Sequence, residues 1–140
     1  TNLCARGAYR LKAAEAERKV ILIATGSEVE IALDVAEALE GRGIGADVVS
    51  MPSTDLFDAQ DPAYREDILP DVSNREILRV SIEAGTTFGW ERYTGLHGLR
   101  IGIDRFGASA PAKDLYDHFG LTAPKITERV LAHIKVREIA

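Results

Sequence analysis

The stretch that decides the fold is residues 20–50, VILIATGSEVEIALDVAEALEGRGIGADVVS. Its first part, Val20–Ala24, is an unbroken apolar run, typical of a strand covered on both faces, as in parallel sheets. Residues 28–40 repeat apolar side chains every three to four positions, which predicts a helix with one apolar face. The glycines of 41–45 suit a helix end, and a second apolar run follows over 46–51. This order of strand, helix and strand predicts an open α/β sheet.

Further strands are predicted on both sides of this unit. Residues 7–13 alternate weakly and predict an edge strand, 76–84 predict a third buried strand, and 99–106 alternate like a strand near a sheet edge. Helical segments are predicted over 53–70 (as two short turns broken at Pro62 and Pro70), 90–94, 111–119 and 124–134. Because parallel neighbours need right-handed crossovers, we expect helices on both faces of the sheet.

The composition bounds the class of protein. A length of 140 residues fits one domain, and 46% apolar with 28% charged residues is ordinary for a soluble globular protein. The net charge of -5 gives no support to binding of nucleic acid or of acidic membranes. The apolar runs are far too short to span a membrane. The single cysteine, Cys4, leaves no internal disulfide, which fits a reducing cytoplasm.

The turn after the first apolar run, Thr25-Gly26-Ser27, is the first candidate binding site. Free amides at the start of a helix attract phosphate, but neither G-x-x-x-x-G-K-[ST] nor G-x-G-x-x-G follows a strand in this chain. Ser27 and Glu30 have the spacing of a capping box, in which their side chains occupy amides that a phosphate would use. Taken alone, these residues favour a capped helix start over a phosphate site.

A second candidate is the glycine- and aromatic-rich connection over 83–95. Phe88, Trp90 and Tyr93 cluster there, where a loop is normally polar. Exposed aromatic residues mark an interface or a pocket. The alternative is that they close one end of the sheet as core. The sequence leaves both interpretations open.

Catalytic chemistry finds no support in the residues themselves. His97, His118 and His133 are not paired with each other or with Cys4 at the spacing of metal ligands. Ser109 is not part of a G-x-S-x-G turn and reads as a helix cap before Pro111. We therefore assign no catalytic residue, no cofactor-binding residue and no metal ligand to this chain.

Four long motifs follow one another along the chain. They are IATGSEVEIALDVAEAL (23–39), VVSMPSTDLFDAQDPAYREDILP (48–70), EAGTTFGWERYTGLHG (83–98) and IGIDRFGASAPAKDLYDHFGLTAPKI (101–126). Together they resemble the C-terminal domain of transketolase over about residues 7–134. The resemblance implies a three-layer α/β/α open sheet of five strands in the order 1-3-2-4-5, mostly parallel, with the first strand as an antiparallel edge.

That strand order implies a binding crevice. Strands 2 and 4 become neighbours whose connections leave in opposite directions, and ligands of open α/β sheets favour the carboxyl ends of strands at such a point. The crevice would be lined by two strand ends, with Thr25, Gly26 and Ser27 on one and Ala84, Gly85 and Thr86 on the other. A small-anion or metabolite site for regulation is therefore the alternative to a purely structural role.

The resemblance also implies what the rest of the protein does. Transketolases use thiamine diphosphate and a divalent metal (Mg²⁺ or Ca²⁺) to move a two-carbon ketol unit between sugar phosphates, in the pentose phosphate pathway and the Calvin cycle. The cofactor is held by the N-terminal and middle domains of a cytoplasmic homodimer. This chain then carries a non-catalytic third domain that serves assembly, is inactive alone, and has those domains and the homodimer partner as its partners.

The resemblance also sets the domain bounds. We expect one domain over 1–140, with 1–6 as the remnant of an interdomain linker and 135–140 as a tail. The chain lacks an initiating Met, so we expect a piece of a longer chain, with a natural split subunit as the alternative.

Overall fold

The computed structural model of the chain describes residues 3–26, 28–70, 76–83, 89–95, 97–102 and 121–139. A 3-10 turn, Leu3–Arg6, precedes the sheet. The strands are β1 (Tyr9–Lys12), β2 (Arg18–Ala24), β3 (Gly45–Ser50), β4 (Leu78–Glu83) and β5 (Leu99–Gly102). The helices are α1 (Glu28–Glu40), α2 (Thr54–Asp58), α3 (Pro62–Ile68), α4 (Glu91–Thr94) and α5 (Ala123–Ile139).

The five strands form one sheet in the order β1-β3-β2-β4-β5. The pairs β2–β3, β2–β4 and β4–β5 are parallel, and β1 runs antiparallel to β3 at one edge. The predicted fold class and strand order are therefore confirmed. The unbroken apolar run of β2 is explained by its position, because β2 lies between β3 and β4 and is covered on both faces.

Helices cover each face of the sheet and bury a separate apolar cluster. On one face, α1 and α5 pack on alternate strand residues, among them Val20, Leu22, Val48, Val80 and Ile82. On the other face, α2, α3 and α4 pack on the residues between, among them Ile21, Ile23, Val49 and Met51. The period of two along each strand thus separates the two layers of helices.

Most element bounds agree with the sequence pattern. The first helix covers the predicted range 28–40, and α2 and α3 are the two short helices predicted over 53–70. At the C-terminus the predicted helix extends further, because α5 continues to Ile139 through residues expected to be a tail. The predicted strand residues 103–106 and the predicted helix 111–119 lie outside the described residues. Within the described part of the chain, no helix has the length and apolar character needed to cross a membrane.

Candidate functional site

The predicted crevice lies where β2 and β4 end side by side. From β2 the chain enters α1, which packs on the face that carries Val20 and Leu22. From β4 the chain leads to α4, whose Tyr93 packs on the opposite face with Ile21 and Ile23. The two connections therefore diverge between neighbouring parallel strands, which is the arrangement that opens a crevice at the carboxyl ends.

A hydrogen bond joins the two strand ends. Thr25, directly after β2, donates its hydroxyl to the Oε2 atom of Glu83, the last residue of β4. Both side chains are partly buried. Glu83 was not predicted to belong to the site, although it directly precedes Ala84 in the motif EAGTTFGWERYTGLHG. The Thr25–Glu83 contact therefore places a carboxylate between the two strand ends that were predicted to line the crevice.

A second carboxylate lies beside the turn that starts α1. Gly26 has a φ of +54°, a conformation that glycine adopts without steric cost. The carbonyls of Thr25 and Gly26 accept hydrogen bonds from the amides of Glu28 (3.1 Å) and Val29 (3.3 Å). Glu28 is only 4% exposed, and a Cβ added to Gly26 would lie 3.9 Å from its Oε2 atom. Two acidic side chains therefore adjoin this helix start, and they disfavour a bound anion.

The other crevice residues predicted from the sequence lie outside the described residues. These are Ser27, Ala84, Gly85 and Thr86. The capping box between Ser27 and Glu30 accordingly stays a prediction. Of the six predicted lining residues, Thr25 and Gly26 lie at the end of β2 as expected.

The aromatic residues of the second candidate lie partly in the core. Tyr93 is 5% exposed and packs in the cluster under α2, α3 and α4, whereas Trp90 is partly exposed at its rim. The ring centroids of these two residues are 5.6 Å apart. Phe88 lies outside the described residues. Tyr93 thus matches the core interpretation, while an interface role for the group stays a prediction.

The Tyr93 hydroxyl is held by a carboxylate. It donates to Asp58, whose two carboxylate oxygens both lie 3.1 Å away, and Asp58 also pairs with Arg92. Burial, and next the charge of Asp58, raise the pKa of Tyr93 from 10.0 to about 12. The hydroxyl therefore keeps its proton at neutral pH and acts as a donor, which is a structural use of the group.

Two of the three histidines, His97 and His133, lie in the part of the chain that the structure describes. His97 is exposed in a turn, and its carbonyl oxygen lies 2.9 Å from Nε2 of His133. His118 lies outside the described residues. In the described part of the chain, no three His, Cys, Asp or Glu side chains are grouped so that they could hold a metal ion.

A group of arginines was not predicted from the sequence. Arg65, Arg79 and Arg92 surround a cavity of about 290 Å³ between α2, α3, α4 and β4. The signal in the sequence was a single cation inside an apolar strand, EILRVSIEA, where Arg79 interrupts a buried pattern. Its significance depends on tertiary placement, because Arg65 and Arg92 come from separate helices.

Comparison with known proteins agrees with the sheet topology. The sequence model of the Transketolase-like TK C-terminal domain family matches residues 7–122. A chromosomal transketolase of Cupriavidus necator is 56% identical over 118 residues, which are 84% of this chain and 17% of that protein. The chain thus spans less than a fifth of the length of this curated relative.

Solved structures give the same family. A transketolase from Leishmania mexicana superposes with a TM-score of 0.79 and 40% identity, covering 90% of this chain and 18% of that chain. A split-gene transketolase, described as an inactive beta4 tetramer, superposes with a TM-score of 0.68 and 26% identity, covering 93% of this chain and 43% of that one. The chain therefore belongs to the transketolase family and carries its C-terminal domain.

Proposed function

We propose that this chain is the non-catalytic domain of an enzyme that transfers a two-carbon ketol unit between sugar phosphates, and that its role is assembly and stability. The family match over residues 7–122 carries the proposal. The site geometry supports it, because the crevice at β2 and β4 presents the carboxylates of Glu28 and Glu83. Those residues do not suit a diphosphate, so no step of the reaction is assigned to this chain.

The chemistry of the parent enzyme then belongs to its other domains. When thiamine diphosphate and a divalent metal (Mg²⁺ or Ca²⁺) are bound there, they supply the carbanion chemistry of ketol transfer. This chain contributes neither cofactor-binding nor catalytic residues, and it is inactive alone. The parent works in the pentose phosphate pathway or the Calvin cycle as a cytoplasmic homodimer, and it contacts sugar phosphates only at that distant site.

The partners of the chain are the N-terminal and middle domains and the homodimer partner. We assign their docking surface to the aromatic group Phe88, Trp90 and Tyr93. Trp90 supports this because it stays partly exposed while packing on the buried Tyr93, so a rigid aromatic anchor lies at the surface. Neither nucleic acid nor a membrane is among the partners, in keeping with the net charge of -5.

A natural split subunit is the alternative to a domain of one long chain. It is supported by the split-gene transketolase that shares this fold over 43% of its own length. In either arrangement the chain acts with a second polypeptide segment that carries the cofactor.

A chimera tests the proposal. The segment of the Cupriavidus necator enzyme that matches this chain is replaced by this chain, and ketol transfer is measured with thiamine diphosphate and Mg²⁺. We expect turnover by the chimera and none by the 140-residue chain alone. Turnover by the chain alone, or a folded, dimeric chimera without turnover, would overturn the proposal. The enzyme truncated before this segment is the control, and we expect it to lose assembly.

The crevice remains a second candidate function, as a regulatory metabolite site. Its support is the divergence of the chain after β2 and β4. An amide-resolved NMR titration of the chain with inorganic phosphate, then with a pentose phosphate, tests it. Saturable shifts at Gly26 that Gly26→Val abolishes would establish the site, and unchanged spectra at millimolar ligand would exclude it.

A further inference from the structure

The arginine cavity lies apart from the crevice, on the face covered by α2, α3 and α4. Its volume is about 290 Å³. The charged and hydroxyl side chains of its lining are Asp58, Arg65, Glu66, Arg79, Arg92 and Tyr93. Pockets for drug-sized ligands begin at about 300 Å³. The volume therefore suits a small metabolite.

Arg79 gives the cavity a fixed cation. It lies in β4 next to Ile21 of β2, and it is 4% exposed. Its Nη1 atom donates to the carbonyl oxygen of Tyr93 at 3.3 Å. Arginine is rarely buried to this extent, because the charge loses its hydration. A planar guanidinium that is held by the sheet is already oriented for an oxyanion.

Arg65 adds a second cation from α3. Its Nε atom donates to the carbonyl oxygen of Gln60 at 3.1 Å, which fixes the plane of the guanidinium. Among the residues that the structure describes, no carboxylate lies within ion-pair distance of Arg65. Arg92, by contrast, is paired with Asp58. The charge of Arg65 is therefore not matched by a protein anion in the described residues.

Positively charged side chains outnumber negatively charged ones among the described lining residues, although the whole chain has a net charge of -5. Among the lining residues that the structure describes, there are three arginines and two carboxylates, Asp58 and Glu66. A second polar cavity, of about 330 Å³, is lined by Arg10 and Arg18 together with Asp47 and Asp67. Among the described lining residues, arginines thus outnumber carboxylates in the arginine cavity, whereas the two are equal in number in the second cavity.

We propose that the arginine cavity binds a small phosphate-bearing anion, with the guanidinium groups of Arg65 and Arg79 donating to its oxygens. The paired N–H groups of a guanidinium match the spacing of phosphate oxygens. Two cations also attract a phosphate dianion more strongly than a singly charged carboxylate. The room beyond one phosphate group accommodates a few carbon atoms. The anion is either free phosphate or a short phosphate monoester.

Titration of the 140-residue chain at fixed ionic strength tests this site. Inorganic phosphate and glycerol 1-phosphate are the probes, chloride and acetate are the controls, and the amide signals of Arg79 and Tyr93 and the Arg Nε signals are followed. We expect saturable shifts there and none at Gly26. Equal affinity for the two probes identifies free phosphate, and tighter binding of the ester identifies a monoester.

Matched variants separate the cavity from general charge. Arg65→Gln is expected to weaken phosphate binding about tenfold, because one charge-assisted hydrogen bond is lost. Arg42→Gln removes the same charge from an exposed site after α1 and is expected to change nothing. Unchanged spectra at millimolar phosphate, shifts centred on Gly26, or equal weakening by the two variants would overturn the proposal. Circular dichroism checks that both variants fold.

Discussion

Tyr93 in α4 donates its hydroxyl proton to Asp58 in α2, with its oxygen 3.1 Å from each carboxylate oxygen. Its ring lies 6.4 Å from the ring of Phe57 and 5.6 Å from that of Trp90, between centroids. A single side chain therefore combines apolar packing with a polar link between two helices that are distant in sequence. This link closes one side of the arginine cavity, so its strength bears on the stability of that whole face.

Tyr93→Phe removes the polar link and keeps the ring. We expect the free energy of unfolding at pH 7 to fall by about 1–2 kcal/mol, because Asp58 loses a donor in a partly buried place. Urea denaturation followed by circular dichroism measures it. The matched control is Tyr9→Phe, since the Tyr9 hydroxyl makes no hydrogen bond to the residues that the structure describes. Equal losses in the two variants would contradict the assigned role of the hydrogen bond.

Stability at alkaline pH depends on the same hydroxyl. The pKa of Tyr93 is raised from 10.0 to about 12 in the folded chain, so the folded state holds the proton more tightly than the unfolded state does. This contribution is fully present below pH 10 and is lost as the pH rises towards 12. We expect the urea midpoint to fall more steeply between pH 10.0 and about 12 in the native chain than in Tyr93→Phe. Parallel curves would refute this expectation.

The sequence predicted the layers better than the sites. The apolar period of three to four over 28–40 and the unbroken run of β2 are local signals, and α1 and β2 follow them closely. The strand order came from the family resemblance, since parallel pairing joins residues far apart in sequence. Glu83 meets Thr25 only because β2 lies beside β4. Arg79 lines a cavity with Arg65 and Arg92 only because α3 and α4 pack near β4. No spacing along the chain reveals such contacts, so neither Glu83 nor Arg79 was predicted as a site residue.

Asp47 is a buried carboxylate that secures the antiparallel edge. Its side chain is 3% exposed and accepts hydrogen bonds from Arg10 Nε (3.1 Å), Arg18 Nη1 (3.0 Å) and the amide of Ala14 (2.8 Å). These donors belong to β1, to β2 and to the turn between them. One residue of β3 thus fixes both neighbouring strands and their connection.

Asp47→Asn leaves the two arginines without their shared anion. We expect the free energy of unfolding to fall by about 2–4 kcal/mol, because the charges of Arg10 and Arg18 then lack the buried carboxylate that compensates them. Denaturation by urea at pH 7 gives the value. Asp34→Asn, on the exposed side of α1, is the matched control and is expected to stay within about 0.5 kcal/mol of the native chain. A loss no larger than that of the control would rule out the role of Asp47.

Glu40 at the end of α1 gives an acid-dependent contribution. Its carboxylate accepts the amides of Glu15 (2.8 Å) and Ala16 (3.0 Å), and these hydrogen bonds lower its pKa from 4.5. Because the folded state favours the ionised form, the contribution is present above pH 4.5 and is lost as the pH falls through the lower folded value. Glu40→Gln should therefore be less stable than the native chain at neutral pH, and the difference should shrink as the pH falls below 4.5.

Thermal unfolding at several pH values measures this difference. Glu37→Gln is the control, because Glu37 is an exposed residue of the same helix whose side chain makes no hydrogen bond or ion pair with the described residues. If the difference in stability between the native chain and Glu40→Gln stayed constant with pH, the hydrogen bonds from the Glu15 and Ala16 amides would not depend on the charge of Glu40.

Two glycines with similar backbone angles test steric contact separately from backbone strain. Gly7 and Gly43 have φ values of +83° and +79°. A Cβ on Gly7 would lie 2.2 Å from the amide nitrogen of Phe57 and 2.3 Å from the carbonyl oxygen of Ser53, whereas a Cβ on Gly43 meets nothing within 4 Å. Gly7 also accepts the amide of Ser53 at 3.0 Å, so the start of the chain packs directly on the backbone before α2.

Gly43→Ala is expected to cost about 1 kcal/mol, the penalty of a positive φ alone. Gly7→Ala must in addition separate two backbone segments, so we expect a loss at least about 2 kcal/mol larger. Urea denaturation of both variants gives the difference directly. Equal losses would mean that the segment before β1 moves away from α2 at little cost, and the tight packing around Gly7 would then not contribute to the stability of this face.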